Sequence, residues 1–325
     1  MALRIGIVGT GWFAGKHAEI LAGTEDVEIA GIVGSSKNKG DVFGIRYDAP
    51  GYESVAEMAE AGPLDAVYIC VPPMAHGEIE RELIERGIPF LVEKPLGADA
   101  ELPQDLLGFL RLKAPDLVTS VGYHFRYQDN VRKLKEALHP GRIGMATGLW
   151  MGDMPQAGWW RRQESSGGQF IEQTTHIVDL LRYCAGEVEE VQAVYASRFP
   201  DEEWENTNVH DIGTVTLKLK SGAVANISNT CVLPPGAGKV GLSFYAREGL
   251  WEWTPGHLTS ILAEGERRTV EETGNPYERE TEAFLHAVRT GDKSGIRSDY
   301  ADACKTQEVT FAALQSALTG RSIKL

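Results

Sequence analysis

The chain opens on a short apolar run, Leu3-Arg4-Ile5-Gly6-Ile7-Val8, that stops at glycines and reads as a strand. Behind it, Gly15 to Leu21 carries helical spacing, and Val27 to Val33 returns to a strand pattern. The alternation then repeats. A strand over Ala66 to Val71 is halted by Pro72-Pro73, a helix follows over 77–86, and an apolar run extends from Ile88 to Val92. Such alternation over the first ~120 residues predicts a doubly wound parallel sheet. After about residue 121 the pattern changes. Longer runs cover Met145 to Met151, Val188 to Ser197, Gly213 to Lys220, Ala223 to Thr230 and Val240 to Ala246. They predict a mostly antiparallel sheet with helices on one face, and Lys220-Ser221-Gly222-Ala223 a hairpin turn within it. Helical stretches over 278–290 and 300–318 close the chain. The expected fold class is α/β. A first domain built on the parallel sheet covers 1–121, and a second α/β domain with a large open sheet covers 122–325. The final helices are free to return to the first domain.

Gly9-Thr10-Gly11-Trp12-Phe13-Ala14 lies between the first strand and the first helix. That context gives G-x-G-x-x-A its meaning as a Rossmann dinucleotide fingerprint. Gly9 allows the tight turn, Gly11 lets the backbone approach a pyrophosphate, and Ala14 lets the helix sit on the strand. Thr10, Trp12 and Phe13 belong to the same cofactor-facing turn. The alternative is a tight turn that binds nothing. NAD-specific sites end the next strand with an acid on the ribose 2′-OH. Here Ser35, Ser36 and Lys37 stand there instead, which favours NADP(H), with NAD(H) possible. The alternative is a solvated loop without a say in specificity. Val71 and Pro72 at the end of a further strand are at the expected nicotinamide end, and His76 beyond them sits there too or packs the loop.

The run that ends at Val92 delivers Glu93-Lys94-Pro95 to a strand's carboxyl end, where ligands of open α/β sheets sit. A lysine is costly to bury, so Lys94 there needs a partner or a proton-transfer role; the alternative is a solvated surface lysine. Farther on, Gly167-Gly168 opens a helical pattern in which Glu172, His176 and Asp179 fall at i, i+4 and i+7, one helical face. A carboxylate one turn from an imidazole can orient it for acid–base work. The alternative is a surface stripe, and Asp179 reads as structural. Trp159, Trp160 and Arg161 just before that helix are candidate substrate contacts, since aromatic faces stack on sugar C–H surfaces and arginines hold hydroxyls. A core tryptophan pair with surface arginines is the other reading. Tyr123 and Arg126, after the first domain, are further substrate candidates.

Charge narrows the partners. Thirty-two Lys and Arg against 46 Asp and Glu leave −14, which disfavours nucleic acid and anionic membrane. No apolar run is long enough to span a bilayer, and a strand begins at Leu3 where a signal peptide would lie, so a cytoplasmic protein is expected. The four cysteines are far apart and the eight histidines dispersed; no metal site is expected.

Gly9-Thr10-Gly11, Glu93-Lys94-Pro95 and Gly167-Gly168 followed by an acid and then His176 occur in one order along nearly the whole chain. In this combination the chain resembles the glucose–fructose oxidoreductase / inositol dehydrogenase / rhizopine-catabolism (Gfo/Idh/MocA) family. The resemblance implies a Rossmann domain, a C-terminal α/β domain and nicotinamide-dependent oxidation or reduction of a sugar, cyclic polyol or related carbonyl compound. It also implies homodimers or homotetramers built on the open sheet. Lys94 matches the lysine near the reacting oxygen, His176 the catalytic histidine, and Glu172 the motif's acid, usually Asp. A cis bond before Pro95 is implied as well. His176 is the expected general base or acid, Lys94 the alkoxide-stabilising cation, with these two roles exchangeable, and Glu172 orients His176 or pairs with Lys94. Two rival classes stay open: a glycoside hydrolase that uses the nicotinamide transiently, and a non-catalytic dinucleotide-binding sensor.

Overall fold

The computed structural model describes residues 2–198, 204 and 206–325. In chain order its first part runs β1 (Leu3–Val8), α1 (Trp12–Ala22), β2 (Val27–Val33), α2 (Lys37–Gly44), β3 (Gly51–Tyr52), α3 (Val55–Ala61), β4 (Ala66–Ile69), α4 (Glu78–Arg86), β5 (Phe90–Val92), α5 (Glu101–Lys113) and β6 (Thr119–Val121). The six strands form one parallel sheet in the order β3-β2-β1-β4-β5-β6. Ile5 and Ile7 of β1 and every residue of β4 and β5 are fully excluded from water, as a sheet covered on both faces requires. Local signals set the helix ends. Ser36 and Ser54 cap α2 and α3, and Gly87 ends α4 in the left-handed conformation.

The chain continues through α6 (Asp129–Ala137), β7 (Ile143–Met151), α7 (Gln163–Ser166), α8 (Gln169–Glu172), α9 (Thr175–Ala185), β8 (Val188–Ala196), β9 (Ile212–Leu219), β10 (Val224–Thr230), β11 (Lys239–Ala246), β12 (Gly249–Trp253), β13 (His257–Leu262) and β14 (Arg267–Glu271). It ends with α10 (Pro276–Thr290), α11 (Tyr300–Thr319) and β15 (Ile323–Lys324). The second sheet has nine strands in the order β14-β13-β12-β11-β7-β10-β9-β8-β15. All its pairs are antiparallel except β7 with β10. The expected hairpin turn is present: Leu219 N–H donates to Ala223 O, and Gly222 takes φ +89°. Ile177, Leu180 and Leu181 of α9 pack with Leu217, Ile227 and Phe244 of the sheet in one core.

The two compact units are not the contiguous segments 1–121 and 122–325. The first comprises Met1–Gly97, Glu101–His124 and Asn275–Cys304; the second comprises Ala98–Ala100, Phe125–Gly274 and Lys305–Leu325. Phe284 and Leu285 of α10 are buried with Ala14, Ala18 and Leu21 of α1, so the apolar stripe of α10 completes the first unit's core. No helix among the described residues is long and apolar enough to cross a membrane.

Candidate active site

The glycine turn has the geometry a dinucleotide needs. Gly9 holds φ +121°, and a Cβ there would lie 2.3 Å from Cys70 O, so only glycine fits. At Gly11 an added Cβ would meet nothing within 4 Å, which leaves its outer side open to a ligand. Gly11 is also the N-cap of α1 and supplies no side-chain bond to the first helical N–H groups. Those uncapped donors and the positive end of the helix dipole suit a pyrophosphate. Trp12, 70% exposed, stands beside the turn. A cavity of about 890 Å³ runs along α1 and α10, with Glu19, Glu25, Glu278 and Glu282 beside Lys16 on its walls, a lining that disfavours phosphates.

The loop after β2 corrects the assignment of its cations. Lys37 Nζ donates to Gly51 O, lies near Asp41 and sits over the Tyr52 ring. Ser36 Oγ is occupied as the α2 cap, accepting from Lys39 N–H. It is Lys39, not singled out in the sequence, whose Nζ reaches Ser35 Oγ, at 3.0 Å.

Lys94 is delivered by β5 and only 8% exposed. The Lys94–Pro95 bond is cis. Its Nζ lies 5.8 Å from the centre of the Phe13 ring, on the glycine-turn helix. Glu93 is buried beside it, and its Oε1 accepts from His17 Nε2 at 2.9 Å. His124 stacks on Tyr277 at 4.1 Å, and Lys16 Nζ lies 3.7 Å from the centre of the same ring. Burial, then the positive charges of Lys94 and Lys16 and the proximity of His17, push the His124 imidazole down to about 3, so it is neutral at pH 7. Burial also lowers the Lys16 ammonium, against the opposing pull of Glu93. His17, Lys16, His124 and Tyr277 thus join the Lys94 surroundings, although sequence spacing gave no sign of it.

His76 is buried just before α4, and its Nδ1 donates to Glu80 Oε1. Glu80 Oε2 accepts from Gly77 N–H at 2.7 Å. Burial raises the Glu80 carboxyl, but His76 and the backbone donors outweigh it and bring the group below its ordinary value. Glu80 therefore fixes the His76 tautomer with the proton on Nδ1. Val71 and Pro72 are half-buried at the exit of β4. Tyr123, 1% exposed, belongs to the first unit's core rather than to a presented surface.

In the second unit the expected single helix is broken. α8 ends at Glu172 and α9 starts at Thr175, so Glu172 does not share a helical face with His176 and Asp179. At the interruption both Gln173 N–H and Thr174 N–H donate to Gln169 O, and Gln169 itself ties α8 to β10: its Nε2 donates to Thr230 O and its Oε1 accepts from Asn229 Nδ2. Glu172 Oε2 accepts from Trp160 Nε1 at 2.7 Å. Trp160 is itself buried in a small cluster with Met154, Val209 and Cys231, the core alternative for this tryptophan. Trp159 is half-buried against that cluster, and the Arg161 guanidinium lies over the Trp204 ring.

His176 sits at the first turn of α9, buried, stacked at 5.8 Å on Trp150 and tilted against Phe125. One turn later Asp179 receives a bidentate pair from Arg126, Nε to Oδ2 at 2.7 Å and Nη2 to Oδ1 at 2.6 Å. Thr306 Oγ1 also donates to Asp179 Oδ1 and accepts from Arg182 Nη1. Arg126 is thereby a buried structural cation and not a substrate contact. No group of three His, Cys, Asp or Glu among the described residues is arranged to hold a metal.

A parallel sheet with an uncapped glycine-turn helix after β1 and a buried lysine at the carboxyl end of β5, two strands along, defines a dinucleotide-dependent oxidoreductase. Residues 3–114 match the oxidoreductase family with an NAD-binding Rossmann fold, and residues 130–252 match the GFO/IDH/MocA C-terminal domain. The chain belongs to the Gfo/Idh/MocA family. Among its relatives, the myo-inositol 2-dehydrogenase of Thermotoga maritima is 26% identical, over 99% of this chain and 98% of that protein. The D-xylose 1-dehydrogenase (NADP(+)) 2 of Haloferax volcanii is 24% identical, over 99% and 100%. The crystal structure of a myo-inositol dehydrogenase from Corynebacterium glutamicum superposes with a TM-score of 0.81 at 23% identity, covering 100% of this chain and 99% of that one, and shows the shared fold.

Proposed function

We propose that this chain transfers hydride between NADP(H) and a carbinol or carbonyl carbon of a sugar or cyclic polyol. The observation that carries the reading is Lys94, a buried cation set at the carboxyl end of β5 beside the glycine-turn helix. Family membership and the relatives named for inositol and xylose support the substrate class. The bound nicotinamide supplies the hydride acceptor or donor. Lys94 then stabilises alkoxide charge on the reacting oxygen, where a fixed cation is worth most. His176 takes the hydroxyl proton in oxidation and returns it in reduction. Glu172 holds the buried Trp160 indole in place. Trp159 and Arg161 remain the substrate-facing candidates.

Absorbance of the reduced nicotinamide, followed with NADP and NAD across sugars, inositols and keto-sugars, tests the activity. A substrate-dependent change is the expected result. Glycoside release without net change in cofactor would make the protein a hydrolase; cofactor binding without any turnover would make it a sensor.

The 2′-phosphate is assigned to Ser35 and Lys39. Lys39→Ala is expected to weaken NADPH binding about tenfold and leave NADH binding within about twofold, the scale of one charge-assisted hydrogen bond. Lys37→Ala should leave the ratio of the two dissociation constants unchanged, because its ammonium is engaged with Gly51 O. Tighter binding of NADH than NADPH by the unaltered protein would overturn the assignment.

The open face of the second sheet is assigned to a second copy of the chain. Val224, Met145 and Tyr245 are cross-strand neighbours and all exposed, an apolar row across β10, β7 and β11. The mass of the assembly in solution reads this directly, a monomer being the contrary result. The four cysteines are free and buried, which suits a reducing, cytoplasmic setting.

A further inference from the structure

We propose that His17 is a positioning residue for Lys94, acting through the carboxylate of Glu93; this rests on the proposed role of Lys94. Glu93 is 4% exposed and His17 fully buried. A buried carboxylate needs a donor, and His17 Nε2 supplies one at 2.9 Å. A carboxylate only accepts, so the proton lies on Nε2. The other ring nitrogen, Nδ1, is buried without a hydrogen-bond partner, so the bond to Glu93 is the polar contact that orients the ring. Tyr68 and Tyr277 hold the same ring by its faces and edge, with centroids 5.2 and 6.1 Å away.

The pair joins two elements that the reaction needs in register. His17 lies on α1, whose uncapped N-terminus is the end suited to the cofactor phosphates. Glu93 immediately precedes Lys94, and its own N–H is pinned to Ile69 O on β4. Gly122 also closes on the Glu93 carboxylate: a Cβ there would come within 2.7 Å of Oε2 and 2.9 Å of Oε1. The carboxylate is thus held by an imidazole donor and against a bare glycine, and the backbone that carries Lys94 follows it. A displacement of about 1 Å at a catalytic group can cost on the order of a hundredfold in rate.

Two variants perturb this joint without touching Lys94. His17→Phe keeps the ring and removes the donor, whereas His17→Gln keeps a donor of similar reach. Gly122→Ala pushes on the carboxylate itself. The first readout is the side-chain resonance of Lys94 in protein grown on isotope-labelled lysine, assigned by its loss in Lys94→Met. The second is kcat, measured with the cofactor dissociation constant.

His17→Phe and Gly122→Ala are each expected to move the Lys94 resonance and lower kcat about 10–100-fold, with cofactor affinity within about threefold. His17→Gln is expected to restore most of both. If His17→Phe does not fold, Gly122→Ala and His17→Gln carry the same comparison. An unmoved Lys94 resonance, or a loss that appears in KM alone, would overturn the proposal. A resonance that moves in a protein without sugar turnover would uphold the positioning role while removing the proposed function, so the two fail separately.

Discussion

Lys94→Met is expected to lower kcat about 100–1,000-fold while leaving the NADPH dissociation constant within about threefold. Methionine matches the length and apolar stem of lysine but carries no charge. The site is 8% exposed and borders the Phe13 ring, so the thioether has an apolar neighbour and the fold should tolerate the change. What disappears is the cation proposed to stabilise the developing alkoxide. Removing one such electrostatic contact from a water-poor site costs about two to three orders of magnitude in other enzymes. The loss should fall on kcat and on kcat/KM together, as it does for an interaction made chiefly in the transition state. Steady-state rates from nicotinamide absorbance, beside cofactor affinity from fluorescence, separate the alternatives. Turnover within about threefold of the unaltered protein would remove Lys94 from the mechanism, and a parallel loss of cofactor binding would make it a cofactor ligand instead.

The parts of this arrangement that could be read from the chain are those written in local chemistry. The strand of 3–8, the turn at Gly9 and the lysine after Val92 each depend on a few consecutive residues whose backbone preferences agree. The boundaries that stayed hidden depend on partners far away. Nothing between Gly168 and Leu181 breaks a helical period, since no glycine or proline intervenes. The interruption at Gln173-Thr174 appears only in three dimensions, where both N–H groups share Gln169 O and Gln169 is tied to Asn229 and Thr230 on β10. The return of α10 to the first unit follows from burial of Phe284 and Leu285 against α1, for which linear order carries no signal. The same holds for side-chain roles. Lys37 and Lys39 are equivalent on paper, and only the course of β3, which brings Gly51 O to Lys37, separates them. His17 reads as one turn of an ordinary helix until Glu93, 76 residues later, is seen to accept its proton. Arg126 reads as a substrate cation until Asp179 claims it.

That last pair carries the largest expected effect on stability. Asp179→Ala should destabilise the second unit by about 3–5 kcal/mol, the usual cost of leaving one partner of a buried ion pair unmatched. Arg126 and Asp179 are 3% and 1% exposed, so water cannot replace the lost carboxylate. The Thr306 hydroxyl, which accepts from Arg182 and donates to Asp179, would lose the acceptor of its proton at the same time. A domain stability of about 5–15 kcal/mol makes such a loss severe. Urea titration measures it, and hydrogen exchange at the α9 amides localises it, since a chain of two units need not unfold in one step. The double variant Arg126→Met/Asp179→Leu supplies the contrast. It removes both charges and fills the space with apolar atoms, so it should recover most of the loss, because the penalty lies in the stranded cation rather than in the absence of the pair. Equal destabilisation in the single and double variants would mean that the pair itself holds α9. Little loss in Asp179→Ala would mean that Arg126 finds another acceptor, and the structural assignment of this arginine would fall with it.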